Sequence, residues 1–149
     1  IRGGSSAATT PRTFAPRKAW VESHHDPYAV FVTTVPATDA ATEGGERIIG
    51  FSALSVFYDR AGYDGVTDLA YYIAPEWQGR GAGTFTLAKL LDECRNRHMR
   101  KACGIIFADN RGSIALMKHF GFTQFGLMPQ AATDSTGTMR DMSYWHLDL

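Results

Sequence analysis

The sequence lacks several features, and each absence excludes a class of protein. It has only two cysteines, Cys94 and Cys103, too few for a disulfide framework or a cysteine-based zinc site, so we expect two reduced thiols. No apolar run approaches the roughly 18 residues that a membrane helix needs, and no segment resembles a signal peptide. We therefore expect a soluble, cytoplasmic protein with no membrane partner.

The chain also has no excess charge of either sign. Fifteen Lys and Arg residues balance fifteen Asp and Glu residues, which leaves a formal net charge of +0. Without a net positive field we expect no nucleic-acid partner. The 149 residues, 44% of them hydrophobic, are enough for one domain with a sizeable core and too few for two independent ones. We predict a single domain over residues 1–149.

The order of the predicted elements is that of a mixed sheet with helices. Runs of β-branched and aromatic residues bounded by Gly and Pro predict strands, and apolar residues three and four apart predict helices. After an irregular start we predict a helix at 16–22, strands at 28–35, 47–58 and 66–73, a long helix at 83–98, a strand at 101–107, a helix at 113–120 and strands at 122–128 and 139–149. The segments 37–46 and 59–65 are predicted turns. This order favours an α+β fold.

The most informative segment joins the third predicted strand to the long helix. Its sequence is QGRGAGT, residues 78–84. Glycines permit positive φ and close approach of a ligand, and the N–H groups at a helix start attract anions, so we expect a phosphate or pyrophosphate here. Thr84 and Phe85 stand where a Walker loop needs Gly and Lys, and Thr84 or Thr86 replaces the third glycine of a dinucleotide fingerprint. A glycine-rich helix entry without a ligand is the alternative.

Three motifs resemble the GNAT superfamily of N-acetyltransferases. The run QGRGAG is similar to its acetyl-CoA pyrophosphate loop, Q/R-x-x-G-x-G/A, and NRGSIALMKHFGF, residues 110–122, resembles its next motif, an asparagine, a serine and a helix ending in Gly-Phe. The run GTMRDMSYWHLD, residues 137–148, is similar to the closing pattern of phosphinothricin N-acetyltransferase-like enzymes.

This resemblance implies a fold and an activity. The fold would be a GNAT-like, mixed, mostly antiparallel sheet flanked by helices. The activity would be direct transfer of acetyl from acetyl-CoA to the primary amine of a small, amino-acid-like molecule, without metal, in a protein expected to form a homodimer. GNAT domains begin with a strand and a helix that are not found here, and the chain starts at Ile1, so we expect it to be N-terminally incomplete.

The resemblance also assigns site residues. The cofactor-binding residues would be Tyr71, Tyr72, Ile73, Gly79, Arg80, Gly81, Ala82, Gly83, Thr84 and Asn110. An alkylamine must lose a proton before it attacks, and the position of the family's catalytic glutamate holds Asp68. The alternatives are a turn or bulge aspartate for Asp68 and a helix cap for Asn110.

Two departures from the phosphinothricin-type pattern keep other functions open. Aspartate replaces the glutamate, and Met117 stands where those enzymes have histidine, with His119 on a different helical face. Tyr72, which we include among the catalytic residues, Tyr144 and His146 are the remaining candidates to protonate the leaving thiolate. The alternative functions are a protein N-terminal or lysine acetyltransferase and an acetyl-CoA-binding domain without activity.

Other polar and aromatic residues are assigned to structure rather than chemistry. We expect the cluster His24-His25-Asp26 in a solvated loop, because adjacent histidines point apart on any regular element. Asp109 is expected in a turn. The tryptophans at 20, 77 and 145 are expected to pack within the protein.

Overall fold

The protein is built on a six-stranded sheet, which a computed structural model describes for residues 6–37 and 45–149. The elements are α1 (Phe14–Glu22), β1 (Ala29–Pro36), β2 (Glu46–Val56), β3 (Val66–Ile73), α2 (Ala82–Asn96), β4 (Lys101–Phe107), α3 (Arg111–His119), β5 (Thr123–Thr133) and β6 (Met139–Asp148). The strand order is β1-β2-β3-β4-β6-β5, and every neighbouring pair except β3 and β4 is antiparallel. The predicted α+β class with a mixed, mostly antiparallel sheet is confirmed.

The predicted elements are present, and the differences lie at their ends. β3 and β4 have the predicted bounds, whereas α1 begins at Phe14 rather than at 16. Pro16 is thus the third helical residue, where its missing N–H costs no helical hydrogen bond. β5 runs to Thr133 instead of ending at 128, across Pro129, which an edge strand tolerates. The predicted 37–46 turn falls mostly outside the described residues.

The hydrophobic core lies between the sheet and the helices α2 and α3. Five residues of α2 are buried, at the spacing of one helical face: Thr86, Leu87, Leu90, Leu91 and Cys94. Leu69 and Trp145 contribute to the same core from the sheet. Both cysteines are buried and free, as predicted. Among the described residues, no helix is long and apolar enough to cross a membrane.

The other face of the sheet, which we call the α1 face, carries α1. Trp20 of α1 packs edge-on against Phe51 of β2, with ring centroids 6.3 Å apart, and Phe51 stacks on Tyr72 of β3 at 4.9 Å. Side chains alternate between faces along a strand. Asp68 therefore shares the α1 face with Tyr72, whereas Tyr71 points toward α2 and α3.

β3 and β4 pair along only part of their length. Their parallel register runs from Val66 opposite Lys101 to Leu69 opposite Gly104. Beyond that point β3 continues to Ile73, paired with β2, and β4 continues to Phe107, paired with β6. The two strands therefore diverge, and the edge of β3 that faces β4 is left open at its end.

Candidate active site

A cavity of about 560 Å³ lies beside the diverging end of β3. Its walls are the end of β3, residues 78–84, which we call the glycine loop, the start of α2 and one side of α3. Most of the residues predicted to bind a cofactor line it, namely Tyr71, Tyr72, Ile73, Gly79, Gly81, Gly83, Thr84 and Asn110. Arg80 and Ala82 are not among the lining residues. The structure thus brings together residues separated by almost forty positions of sequence.

The glycine loop has the backbone conformation that its sequence predicts. Gly79 and Gly81 have φ values of 70° and 86°, in the left-handed region that favours glycine. Gly81 is the N-cap residue of α2, and no side chain caps this helix. Because the first N–H groups of a helix have no partner within it and carry partial positive charge, the loop offers several donors to an anion at the cavity.

One side chain of the glycine loop bonds to β3, and another lies over a nearby aromatic ring. Nε2 of Gln78 donates a hydrogen bond to the carbonyl oxygen of Ile73, 3.1 Å away, and so ties the loop to the end of the strand. The Arg80 guanidinium lies 5.4 Å from the ring centroid of Trp77, just outside the cavity wall. A Cβ added to Gly83 would stand 3.2 Å from a methyl of Leu116, so this glycine lets α2 approach α3 closely.

One side of α3 faces the cavity. Gly112, Ala115, Leu116 and His119 line it, at three- and four-residue spacing. Met117 points the other way and is fully buried against Gly104 of β4. The expected separation of His119 from Met117 is confirmed, but His119 is the one that reaches the cavity. The helical spacing of His119 from Gly112 could have indicated that it faces the cavity. The comparison with the family histidine pointed instead to position 117.

Asn110 begins α3 and also lines the cavity. Its Oδ1 accepts a hydrogen bond from the N–H of Ser113 at 3.1 Å, so Asn110 is a helix cap, as the structural alternative predicts. The loop before it is held by Arg140, which pairs with Asp109 and, at 2.8 Å, with Asp134. The Arg140 hydrogen bond lowers the pKa of Asp109.

Tyr71 brings an unpartnered polar atom to the cavity. Its hydroxyl is buried and makes no hydrogen bond to any residue in the described parts of the chain. Burial raises the pKa of Tyr71, and the nearby Ser113 hydroxyl opposes this shift without reaching hydrogen-bonding geometry. A buried polar group without a partner costs about 1–3 kcal/mol, so this atom is well placed to gain from a polar ligand group.

Asp68 lies on the α1 face, at the last pairs before β3 and β4 diverge. It stands opposite Ser55 of β2 and Cys103 of β4, in regular register on both sides. The turn or bulge alternative is therefore wrong. Burial raises the pKa of Asp68 to about 6. A carboxyl group with a pKa near neutrality is suited to accept a proton and release it again.

His24 lies in the irregular segment after α1, as expected, but its ring is only partly exposed and is held by two contacts. Its Nδ1 is 2.7 Å from the carbonyl oxygen of Trp20, and its Nε2 is 2.8 Å from Oγ of Ser55. His25 and Asp26 are exposed, as expected. The two adjacent histidines do point apart. The sequence does not show, however, that α1 ends beside β2 and so places the His24 ring against Ser55.

Arg17 is a further residue that the sequence did not single out. Its guanidinium lies 5.8 Å from the ring centroids of both Trp20 and Phe51, on the α1 face. Within residues 6–37 and 45–149 this guanidinium forms no ion pair or side-chain hydrogen bond. It is a positive group that remains available to an anion. Its position three residues before Trp20 could have predicted that both side chains lie on the same side of α1.

Comparison with known proteins agrees with this architecture. The sequence profile of the Acetyltransferase (GNAT) family matches residues 6–122, and the chain belongs to this family of acetyltransferases. It is similar to an L-methionine sulfoximine/L-methionine sulfone acetyltransferase of Pseudomonas paraeruginosa, at 27% identity over 94% of this chain and 77% of the relative.

Solved structures show the same fold. A GNAT superfamily phosphinothricin acetyltransferase from Sinorhizobium meliloti, crystallised with AcCoA, matches with a TM-score of 0.80 at 26% identity, over 100% of this chain and 76% of that one. A ribosomal-protein-alanine N-acetyltransferase from Brucella melitensis matches with a TM-score of 0.81 at 27% identity, over 94% and 81%. The resemblance to GNAT enzymes of the phosphinothricin acetyltransferase type is thus confirmed.

Proposed function

We propose that this protein transfers acetyl from acetyl-CoA to the primary amine of a small, amino-acid-like molecule, directly and in a ternary complex. The observation that carries the proposal is the divergence of β3 from β4 beside the glycine-loop cavity, with Asp68 at the last pairs before it. Beyond Leu69 and Gly104 no pairing between β3 and β4 closes the sheet between its two faces. A thioester held on the cavity side and an amine on the α1 face can meet there.

The cavity residues fit acetyl-CoA, which supplies the acetyl thioester. The N–H groups of residues 79–84 would bind its pyrophosphate, with Arg80 adding positive charge nearby. The open edge of Tyr71, Tyr72 and Ile73 would pair with the pantetheine amides, and an N–H there would stabilise negative charge on the thioester oxygen. The buried Tyr71 hydroxyl and the Asn110 side chain would be the remaining groups that contact acetyl-CoA.

Asp68 would take the proton from the incoming ammonium group. Because burial raises its pKa to about 6, the carboxyl is ionised above that pH and is still basic enough to hold a proton briefly. Tyr72 at the end of β3 and His119 on the cavity side of α3 are the candidates to protonate the leaving thiolate. A thiolate leaves readily, so the demand on such a donor is small.

Arg17 supports an acceptor with an acidic group. Its guanidinium, which has no ion-pair partner among the described residues, is on the same face as Asp68 and lies over Phe51, the ring that stacks on Tyr72. An amino acid presents an amine and a carboxylate only a few ångströms apart, and Arg is suited to bind a carboxylate through two hydrogen bonds. The names of relatives that act on methionine sulfoximine and phosphinothricin point to the same class. The proposal includes a homodimer, on the resemblance alone, and a cytoplasmic location, on the small number of cysteines.

The competing function is acetylation of a protein N-terminus, which the similarity to a ribosomal-protein-alanine N-acetyltransferase supports. The experiment is an acetyl-transfer assay that follows release of free thiol from acetyl-CoA. The acceptors are phosphinothricin, methionine sulfoximine, an alanine-terminated peptide and a lysine-containing peptide blocked at its N-terminus.

We expect turnover with the two small amino acids and not with the peptides. Turnover with peptides alone would establish the protein acetyltransferase instead. If acetyl-CoA raises the melting temperature but no amine is acetylated, the chain is a binding domain without this activity.

A further inference from the structure

The hydrogen bonds of His24 define its tautomer. The backbone carbonyl of Trp20 only accepts hydrogen bonds, so the His24 Nδ1, 2.7 Å away, must carry a hydrogen. In the neutral ring the other nitrogen, Nε2, then has a free electron pair. Oγ of Ser55 lies 2.8 Å from that nitrogen, and its hydroxyl is the donor. The basic nitrogen of His24 is therefore aimed at Ser55.

Ser55 in turn lies beside Asp68. The two residues are direct partners in the antiparallel register of β2 and β3, so their side chains are on the same face with Cβ atoms about 4.5–5.5 Å apart. Asp68, Ser55 and His24 thus form a row that runs across the α1 face, from the strand gap to the end of α1. His24 is partly exposed at the far end of the row.

The row answers a need of the proposed reaction. A half-buried carboxyl that accepts a proton in every cycle must pass it on before the next cycle, and a bound amine and thioester would separate it from bulk water. Burial already raises the pKa of Asp68 to about 6, which makes the protonated carboxyl a good donor at neutral pH.

We propose that Ser55 and His24 form a proton relay that carries the proton taken up by Asp68 out to bulk water. This inference rests on the proposed function. Asp68 makes no direct hydrogen bond to Ser55, so it gives its proton through one water to Oγ of Ser55, as Ser55 gives its own hydroxyl proton to Nε2 of His24. The carboxylate and the hydroxyl are regenerated. The partly exposed imidazolium ring then swings away from Ser55, gives the Nε2 proton to solvent, and returns as the neutral ring with its hydrogen on Nδ1.

Other titratable groups lie on the same face as this row, on β4, β6, β3 and α1. From β4, Cys103 is beside Asp68, and burial together with the Asp68 charge raises the pKa of its thiol. Lys101 of β4 pairs with Asp148 of β6 and lies 3.3 Å from Nδ1 of His146, also on β6. Among the described residues, Tyr72 on β3 and Arg17 on α1 also lie on this face, and the β2 residue paired with Asp68 is Ser55.

The test compares Ser55→Ala, Ser55→Thr and His24→Ala with wild type and with Asp68→Asn. The matched control is His25→Ala, which removes an exposed imidazole one residue away. We would measure kcat and both KM values from about pH 5 to 8, the range in which Asp68 ionises, with and without imidazole in the buffer. Thermal melts check the folding of each variant.

We expect Ser55→Ala and His24→Ala each to lower kcat about tenfold, with the KM for acetyl-CoA unchanged. Ser55→Thr keeps a hydroxyl and should stay within about twofold of wild type. Added imidazole should restore kcat of His24→Ala in proportion to its concentration, which a purely structural role of the ring would not allow. His25→Ala should behave as wild type.

The outcomes separate the relay from the function it serves. If wild type is active and Asp68→Asn is impaired, but Ser55→Ala and His24→Ala keep kcat within about twofold, the relay alone is overturned. If wild type acetylates no amine, both proposals fall. Independently of activity, the ¹⁵N shifts of the His24 ring should show a hydrogen on Nδ1, and a hydrogen on Nε2 in the neutral ring would overturn the relay.

Discussion

Gly81 and Gly137 share the same positive φ of 86°, and a Cβ added to either would meet no atom within 4 Å. Gly81 stands in the glycine loop at the cavity, whereas Gly137 lies in the turn between β5 and β6. A side chain therefore costs the same backbone strain at both positions, about 1–2 kcal/mol. Substitutions at these two glycines therefore distinguish the loss of stability caused by backbone strain from a loss of ligand binding at the cavity.

The first prediction uses this pair. Gly81→Glu places a negative charge where the loop would receive the pyrophosphate, so the rise in melting temperature caused by acetyl-CoA should disappear. Gly137→Glu should destabilise the free protein to a similar extent and keep the acetyl-CoA shift. Differential scanning fluorimetry with and without acetyl-CoA measures both. A normal shift in Gly81→Glu would show that the loop is not the pyrophosphate site.

A second prediction concerns the unpartnered hydroxyl of Tyr71. Tyr71→Phe removes a buried polar atom that has no partner in the described residues, so the free energy of unfolding should stay the same or rise by about 1 kcal/mol. If acetyl-CoA supplies the missing partner, its Kd should increase about 2- to 12-fold, from a lost hydrogen bond of about 0.5–1.5 kcal/mol.

Calorimetric titration with acetyl-CoA measures this Kd, and denaturant unfolding measures the stability. Tyr63→Phe, in the exposed turn before β3, is the control and should change neither quantity. An unchanged Kd in Tyr71→Phe would show that the hydroxyl does not contact the ligand.

A third prediction follows from the pKa of Asp68, which is about 6 in the folded protein against 3.8 for an ordinary aspartate. The folded state holds this proton more tightly than the unfolded state, so the stability it confers is complete below about pH 4 and is lost as the pH rises through 6. Asp68→Asn removes this loss. It should raise the free energy of unfolding at pH 8 by at most about 3 kcal/mol, relative to its effect at pH 4.

Asp134 serves as the control, because its pKa is lowered and the pH dependence of its contribution to stability has the opposite sign. It is 3% exposed, and hydrogen bonds from Thr136, Arg140 and Thr138 lower its pKa. Its contribution to stability is present at neutral pH and is lost as the pH falls through its folded pKa, so Asp134→Asn should destabilise most above pH 4. Urea unfolding of both variants at several pH values tests the two signs, and equal pH dependence in the two would refute the assignment.

A fourth prediction tests the acceptor class through Arg17. Arg17→Gln should raise the KM for methionine sulfoximine about 10-fold or more, because a charged hydrogen-bonded pair with the substrate carboxylate is lost. The KM for the corresponding amine without a carboxylate should not change. Lys18→Gln is the matched control, since Lys18 already pairs with Glu22 on the exposed side of α1. Equal effects on both acceptors would mean that Arg17 does not bind the acid group.

The sequence predicted the features that depend on neighbouring residues. The bounds of β3 and β4 follow from short apolar runs with clear breakers, and the conformation of Gly79 and Gly81 follows from the spacing of glycines before a helix. Asp68 was found by alignment with a family position, and the structure adds its regular strand register.

Features that depend on distant contacts were missed. Ser55 reaches His24 across 31 residues, and Arg17 reaches Phe51 only because α1 packs on the sheet. No local pattern marks such partners, because each depends on the angle at which a helix is laid on the sheet. The missing partner of the Tyr71 hydroxyl is likewise a property of the folded cavity, not of the tyrosine in sequence.

The divergence of β3 and β4 means that the proposed docking edge for the thioester arm is made of main-chain atoms. Every residue except proline presents the same N–H and C=O groups, so replacements at positions 70–73 leave these main-chain groups in place, even where a side chain such as that of Tyr71 adds to binding. Selectivity for the acceptor, by contrast, would depend on side chains such as Arg17 and Asp68. One half of such a site can therefore keep its ligand while the other half changes its substrate by a few substitutions.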